Sequence, residues 1–470
     1  MASNPAATGT GQAYGSAGYR NYVLFTLLLA YTLNFIDRIL IGVLAEPIIN
    51  EFNLKDWQFG MLSGLGFAFM YTLMGIPIAR LAEKVNRVKI IAAGIILWSI
   101  MTALCGIAGG FLSLLIFRVG VGVGEACLTP PANSIIADYF PPRSRARALA
   151  IYAMGVTLGS VLAAAFGGPI AQAFSWREAF IILGVPGVFV GLLVLFSVKE
   201  PPRGYSDPPG SEKVEALGLK ATIADLAGNR TYWMNIIAAT IVAFVGYSYS
   251  AFQASFFQRA YGMSLADVAT QFLVPLGLAA AAGTFLGGFL TEKLSARYKN
   301  VLAWLPGWAL ILCVPFYWFG VSSPSANVAF SCLMVGAILH YSYLGAQYTI
   351  CQGVVGLRSR ATAIAIMLFV VNMIGYGLGP IVTGFLSDFF AGNYLAASSY
   401  AGELTIEACK GSNADLVKSL GEAKGNFCTN MSAEGLRQSL RMAALLYAAA
   451  GIAYVLTAKT LQRDLVAKMD

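Results

Sequence analysis

Charge is scarce in this chain, and histidine is almost missing. Of 470 residues only 11% are Asp, Glu, Lys or Arg, against about 25% in soluble domains. That excludes a fold whose main solvent is water. One histidine, His340, excludes a histidine-rich zinc site. No Gly-x-x-x-x-Gly-Lys-Ser/Thr stretch exists to cradle phosphates, so nucleotide-driven chemistry within the chain is disfavoured. No nucleophile stands with a base beside a plausible electrophile site, so no catalytic residues, metal or cofactor are expected and the chain does not read as an enzyme. The first nineteen residues hold Gly, Ala, Ser and Thr but no apolar core, which argues against a cleaved signal peptide and predicts a disordered tail over 1–19. Of seven cysteines, Cys105, Cys127, Cys313, Cys332 and Cys351 lie inside apolar runs, where small buried thiols are expected. Only Cys409 and Cys428, in one polar loop, are disulfide candidates, with two free thiols in a mobile loop as the alternative.

Apolar residues are abundant instead, at 57% with a mean hydropathy of +0.68 and 50 glycines. Glycine at that level suits helices packed closely in lipid. Apolar runs fall at 21–46, 57–81, 88–109, 111–138, 147–173, 178–198, 232–258, 267–291, 300–320, 326–354, 361–390 and 438–460, each long enough for a bilayer. They predict an all-α integral membrane protein of twelve spans. The expected divisions are a tail over 1–19, a six-helix bundle over 20–198, a linker over 199–231, a second six-helix bundle over 232–460 with an external loop over 392–435, and a tail over 461–470. The linker carries Pro201-Pro202 and Pro208-Pro209, which is loop chemistry. An amphipathic piece around Leu217 to Leu226 is suited to a membrane surface.

The formal charge of +8 does not point to nucleic acid, because the basic residues stand in short clusters between apolar runs. Lys84, Arg87, Lys89, Arg143, Arg145, Arg147, Lys293, Arg297, Lys299, Arg358 and Arg360 share one side, against Lys55, Arg177 and Arg259 on the other. The positive-inside rule makes the rich side cytoplasmic, with both termini and the linker there. The expected location is the inner (plasma) membrane.

The halves repeat. Arg143-Ser144-Arg145-Ala146 recurs as Arg358-Ser359-Arg360-Ala361 at an offset of 215, and Leu81-Ala82-Glu83-Lys84 recurs as Leu290-Thr291-Glu292-Lys293 at 209. Each match follows an even number of spans, which implies parallel duplication about a pseudo-twofold axis normal to the membrane. Glu83, Lys84, Arg87, Glu292 and Lys293 are therefore candidates for a cytoplasmic gate. Plain topology charge accounts for Lys84 and Arg87 but not for the repeated acid.

Charges inside spans are rarer and more informative. Asn34, Asp37 and Arg38 interrupt the first run, and Arg118-x-Gly-x-Gly-x-Gly124-Glu125 the fourth. A charge at that depth costs ~2.5 to 3.5 kcal/mol on insertion scales, and it faces a cavity or a partner. Arg118 and Glu125 lie about two turns apart on one helix face. A structural ion pair is the plainer alternative to chemistry. At the repeat offset Asp37 falls near Tyr249 and Ser250, and Arg118 and Glu125 near Cys332 and His340. Ionisable groups confined to one copy are hard to assign to the shared scaffold. Asp37, Glu125 and Arg118 are therefore proton-coupling candidates, with Arg118 expected to pair with an acid across the bundle. Asn34 and Arg38 are the substrate-facing candidates of this half. The second half offers Tyr249, Gln253, His340, Tyr343 and Gln347, the last three at helical spacing on one stripe. A lone histidine is also a common satisfied core donor.

The Ala79-to-Arg87 loop, the Arg118-to-Glu125 helix, the Asn-x-x-Asp-Arg first span and the Arg-Ser-Arg repeats together resemble the major facilitator superfamily, specifically a bacterial Spinster homologue of its Spinster-type members. The resemblance covers nearly the whole membrane region, although Ala79, Glu83 and Lys84 replace the usual glycine, aspartate and arginine. It implies a secondary transporter of an amphiphilic lipid-like substrate, a lysophospholipid or sphingoid phosphate. Alternating access of two halves and coupling to protons through intramembrane acids are implied with it. Charges on one wall with Tyr, Phe and Met on the other independently suit a headgroup and a tail. A permease for a small organic anion or sugar acid, held by Arg38 and Arg118, is the alternative. The expected partners are the small substrate, protons and the bilayer, around a monomer. The loop over 392–435 has no counterpart in the first half and is expected to cap the cavity exit. Closing it through Cys409 and Cys428 stabilises it by about 3 kcal/mol in the chain-entropy model.

Overall fold

The computed structural model describes residues 11–208, 219–295, 297–356 and 358–465. Among them, 12 helices are long and apolar enough to cross a membrane. Numbered in chain order, spans 1 to 6 are Ala17–Val43, Asp56–Lys84, Arg87–Cys105, Phe111–Tyr139, Pro142–Ala173 and Trp176–Ser197. Spans 7 to 12 are Arg230–Tyr261, Leu265–Ser295, Val301–Ser322, Ala326–Gly353, Arg360–Ala396 and Glu422–Asp464. No β-strand is formed among the described residues.

The chain packs into two units, each described by itself. The first comprises residues 11–41 and 66–208, the second 42–65 and 219–465. The short segment 42–65, the C-terminal end of span 1 and the start of span 2, thus belongs by packing with the second unit. Hydropathy assigns it to the first bundle, because run boundaries carry no information about which neighbour a helix end touches.

Three other boundaries differ from expectation. Disorder over 1–19 does not extend to the described part of that tail. Tyr14 donates its backbone N–H to Tyr139 O at 3.2 Å, its ring meets Tyr139 and Tyr205 edge-on, and span 1 starts at Ala17. Half-buried Tyr14 and Tyr205 pack there with buried Tyr139 despite the low-complexity surroundings. Residues 1–10 lie outside the described residues, as do 209–218 of the linker and 466–470 of the C-terminal tail. Span 12 begins at Glu422 rather than 438. Residues 422–437 are polar but helical, supported by Arg437–Glu434 at 2.7 Å and Gln438 Nε2 to Glu434 Oε1 at 2.8 Å. Only part of the expected loop 392–435 is therefore loop, since span 11 runs to Ala396 and a helix covers Asn413–Leu420. The amphipathic linker piece forms the helix Leu219–Ala227, with Thr222 and Leu226 buried. Trp233 Nε1 donates to its Leu226 O at 2.9 Å, so its apolar side packs on protein.

Several spans are interrupted where the sequence weakens the helix. Span 4 breaks over 126–128 between Phe111–Glu125 and Thr129–Tyr139. Pro130-Pro131 opens its second piece, where missing N–H groups cost nothing. Span 2 breaks at Gly64 and span 10 at Ser342. Span 11 widens to a π-turn over Val371–Tyr376, just ahead of Gly377, Gly379 and Pro380.

Candidate functional site

In the first unit, glycine brings span 4 close to its neighbours. A Cβ on Gly122 would meet Phe67 O of span 2 at 2.5 Å, and one on Gly124 would meet Trp98 N of span 3 at 2.7 Å. Gly155 and Gly159 of span 5 sit against Tyr31, Thr32 and Phe35 of span 1, where an added Cβ would find its nearest atoms at 3.0 and 2.5 Å. These approaches converge the polar faces of spans 1, 3 and 4.

Arg38 Nη2 donates to Glu125 Oε2 at 2.7 Å, with side-chain exposures of 7% and 0%. Three rings enclose the guanidinium, Phe35, Phe67 and Tyr71, at 4.9, 4.8 and 4.7 Å, a favourable cation–π setting in dry surroundings. Arg118 Nη1 donates to the backbone carbonyl of Asp37 at 3.2 Å and lies 5.4 Å from the Phe67 ring centre. The expected ion pair is thus corrected: Arg38 holds the acid, and Arg118 makes no ion pair among the described residues. One turn geometry explains this. Glu125 ends its half-helix at the level of Arg38, whereas Arg118, two turns away, meets the preceding carbonyl.

Around this pair stands a set of buried polar atoms with no protein hydrogen-bond partner: Asn34 Nδ2, Asp37 Oδ1, Trp98 Nε1, Thr102 Oγ1, Arg118 Nε and Nη2, and Glu125 Oε1. Asp37 lies beside Trp98 and Thr102 of span 3 and within electrostatic reach of Arg118 and Glu125. Asn34, Asp37, Arg118 and Glu125 are all nearly inaccessible. Buried polar groups are normally satisfied; here Asn34 lies beside Glu125, and Thr102 and Trp98 beside Asp37, so these groups form one polar cluster inside the first unit.

In the second unit, His340 is buried, with the Tyr317 and Tyr447 hydroxyls at 3.2 and 3.3 Å from its Nδ1. Tyr249 donates its hydroxyl to Leu440 O at 3.0 Å and meets Tyr317 edge-on. Tyr343 stacks toward His340 at 6.1 Å across the Ser342 interruption. Gln347 is buried, its backbone O accepting from Asn235 Nδ2 at 3.0 Å and its Oε1 without a protein partner. Gln253 is half-buried. These residues form a tyrosine-rich interior around a hydrogen-bonded histidine. Tyr317, Tyr447, Trp98, Thr102 and the Arg38 cage escaped the sequence analysis. The polar interruptions Trp98 and Thr102, four residues apart in an apolar run, were the one available signal.

The gate candidates separate. Arg87 is buried and donates to Asp138 Oδ2 at 2.5 Å, Glu200 Oε1 at 2.6 Å, Ser134 Oγ at 2.7 Å and Pro201 O at 2.9 Å. It clamps the beginning of the linker to spans 3 and 4, with all three guanidinium nitrogens bonded inside the first unit. Glu83, Lys84, Glu292 and Lys293 are exposed and form no ion pair among the described residues of their own units.

Cys409 and Cys428 are joined as a disulfide with Cα atoms 5.0 Å apart. Outside the spans, its own backbone amide and Lys55 hold the Glu407 carboxyl below its usual value, and burial lowers the neighbouring Lys410 ammonium. A cavity of about 330 Å³ in the second unit is lined by Glu46, Asp56, Arg259, Asp388, Cys409 and Lys410 among others, and it contains none of the proposed substrate residues. Among the described residues, no three His, Cys, Asp or Glu side chains are grouped as metal ligands.

Residues 27–395 match the Major Facilitator Superfamily. A crystal structure of a bacterial homologue of the human lysosomal transporter Spinster, in an inward-facing and occupied conformation, is 43% identical with a TM-score of 0.86, over 96% of this chain and 99% of its own. An MFS-type efflux pump of Mycolicibacterium smegmatis is 31% identical over 77% of this chain and 83% of its own length. The hexuronate transporter of Bacillus subtilis is 28% identical over 81% and 91%. The mouse sphingosine-1-phosphate transporter SPNS2 is 26% identical over 77% and 69%.

Proposed function

Because this chain belongs to the major facilitator superfamily and resembles the structure of a bacterial Spinster homologue, we propose that it is a proton-coupled secondary transporter of an amphiphilic lipid-like substrate, a lysophospholipid or sphingoid phosphate, working by alternating access. The supporting observation is the group of buried, unsatisfied polar atoms around the Arg38–Glu125 pair. Acids in a dry interior exchange protons when a neighbouring cation changes partner. In this proposal Glu125 and Asp37 carry protons. Arg38 swaps between Glu125 and an anionic headgroup, Arg118 steadies Asp37, and Asn34 adds a hydrogen-bonding group to the headgroup. The tyrosine-rich interior with Tyr249, Gln253, His340, Tyr343 and Gln347 receives the less polar part of the substrate. His340, already held by two hydroxyls, positions rather than titrates. The arginine-rich loop ends face the cytoplasm of an inner (plasma) membrane, with both termini inside. Glu83, Lys84, Glu292 and Lys293 form the cytoplasmic gate in the state that closes that side. The protein works as a monomer.

A second reading has its own support. Arg118 retains two donor nitrogens without a protein partner, and a hexuronate transporter is among the relatives, so a small organic anion or sugar acid held by Arg38 and Arg118 is the competing substrate. Purified protein in proteoliposomes, given labelled lysophospholipid, hexuronate and sugar phosphate in parallel, separates the two. Saturable uptake of lysophospholipid, blocked by unlabelled lysophospholipid and not by hexuronate, is expected. Saturable hexuronate uptake with none of the lipid would replace this substrate assignment with the second.

A further inference from the structure

The chain passes from the first unit to the second between Ile41 and Gly42 and returns between Leu65 and Gly66. A helix is interrupted close to each crossing, at Leu44 with φ −90 and ψ 14 and at Gly64 with φ −103 and ψ −95. Between these joints lies a helical hairpin: helix Ala45–Phe52, a turn through Asn53 in the left-handed region at φ 49, and helix Asp56–Ser63.

Buried charges hold this hairpin within the second unit. Arg259 of span 7 makes two bonds to Asp56, at 2.7 and 2.8 Å, and one to Glu46 at 2.8 Å. Asp388 of span 11 accepts the N–H groups of Asp56 and Trp57 at 3.1 Å each, capping the second hairpin helix, while Ser387 donates to Asp56 at 2.6 Å. These contacts hold the first turn of each helix, at Glu46 and at Asp56 and Trp57.

The turn is gripped from the segment that joins spans 11 and 12. Lys410 Nζ donates to Asn53 O at 2.8 Å, and Lys55 pairs with Glu407 at 3.2 Å. The Lys410 bond meets a carbonyl at a helix C-terminus, where cations are favoured. Cys409, the residue next to Lys410, is bonded to Cys428 of span 12. The segment carries a small core of its own, in which Leu404, Cys409 and Leu416 pack with Cys428, Met431 and Leu395. Cys409 and Lys410 also line the 330 Å³ cavity whose other walls carry Glu46, Asp56, Arg259 and Asp388.

We propose that residues 397–421 are a strap that keeps the hairpin docked, with Lys410 as its hook and the Cys409–Cys428 bond as its anchor to span 12. The strap acts on a jointed element rather than on a rigid span, so loosening it changes the opening of the hairpin without unfolding the helices that carry it. It is independent of which substrate the protein moves.

Hydrogen–deuterium exchange with mass spectrometry on the full chain in nanodiscs tests this. Lys410→Ala, which leaves the disulfide and the small core in place, and the double variant Cys409→Ser with Cys428→Ser are compared with the unaltered protein. Peptides covering 45–62 are expected to exchange roughly five-fold faster in each, the scale of one lost hydrogen bond of ordinary net strength at an exposed position read through local opening. Peptides from 87–105 serve as the reference and are expected to stay unchanged. Unchanged exchange over 45–62 in Lys410→Ala overturns the hook. If the double variant loosens only 397–430, the disulfide is a local staple and the anchor is overturned. Should the double variant also raise exchange over 87–105, Lys410→Ala together with Glu407→Gln decides the matter, since neither touches the disulfide.

Discussion

Replacing Arg38 with alanine strands the Glu125 carboxylate, whose side chain has no solvent exposure, among aromatic rings. Losing one partner of a buried pair costs ~3 to 5 kcal/mol, far more than removing both costs. Arg38→Ala is therefore expected to lower the melting midpoint in detergent clearly more than Arg118→Ala, which removes one bond of 3.2 Å to a carbonyl. The double variant Arg38→Ala with Glu125→Gln should recover much of the loss, and a double-mutant cycle by scanning fluorimetry measures the coupling. Additive losses would mean that the pair does not interact in solution. Asp37, Arg38, Arg118 and Glu125 were legible in the sequence because charges within apolar runs are few and costly. Their pairing was not, because helical spacing fixes the face of one helix and not the rotation of its neighbour. Phe35, Phe67 and Tyr71 around Arg38 were illegible for another reason. Among 29 phenylalanines and 22 tyrosines, nothing marks those three.

Close approaches between helices carry the next set of predictions. A Cβ on Gly60 would run into the Pro380 carbonyl and lie 2.8 Å from Ile381 Cα. Both obstacles are backbone, so neither can swing aside. Gly60→Ala should cost ~1 to 3 kcal/mol in stability, as overpacking does, and lower the melting midpoint. Gly75, with nothing within 4 Å of an added Cβ, is the control, where alanine should be neutral or mildly stabilising. Equal effects at the two positions would contradict this packing. Arg87 gives an electrostatic counterpart. Arg87→Ala leaves the Asp138 and Glu200 carboxylates facing each other without their shared cation, and Arg87→Lys cannot restore a planar fork that reaches four acceptors. Both variants should melt earlier, with lysine rescuing only a part. Full rescue by lysine would show that charge alone suffices. Helix existence was plain from hydropathy along the chain, while helix ends were not. Residues 422–437 read as loop because they are polar, yet Glu434 holds Arg437 and Gln438 along a helix.

At the scale of the whole molecule, the two recurring loop sequences and the even span count reveal the fold directly, because duplication leaves the same residues at the same topological place. What duplication conceals is the crossing of segment 42–65 into the other unit, since packing partners are not written in either copy. The asymmetry between the copies is the feature on which the proposed proton coupling rests. Acids at 37 and 125 have no counterparts in the second half, and the unsatisfied buried charge gathers around them. The most direct measurement imposes a pH gradient of either sign on proteoliposomes and follows labelled lysophospholipid. The unaltered protein should accumulate it above equilibrium for one sign of the gradient. Asp37→Asn and Glu125→Gln should instead exchange label only down its own concentration gradient, with the helical circular-dichroism signal preserved. Gradient-driven accumulation at the unaltered rate in both variants would contradict the account.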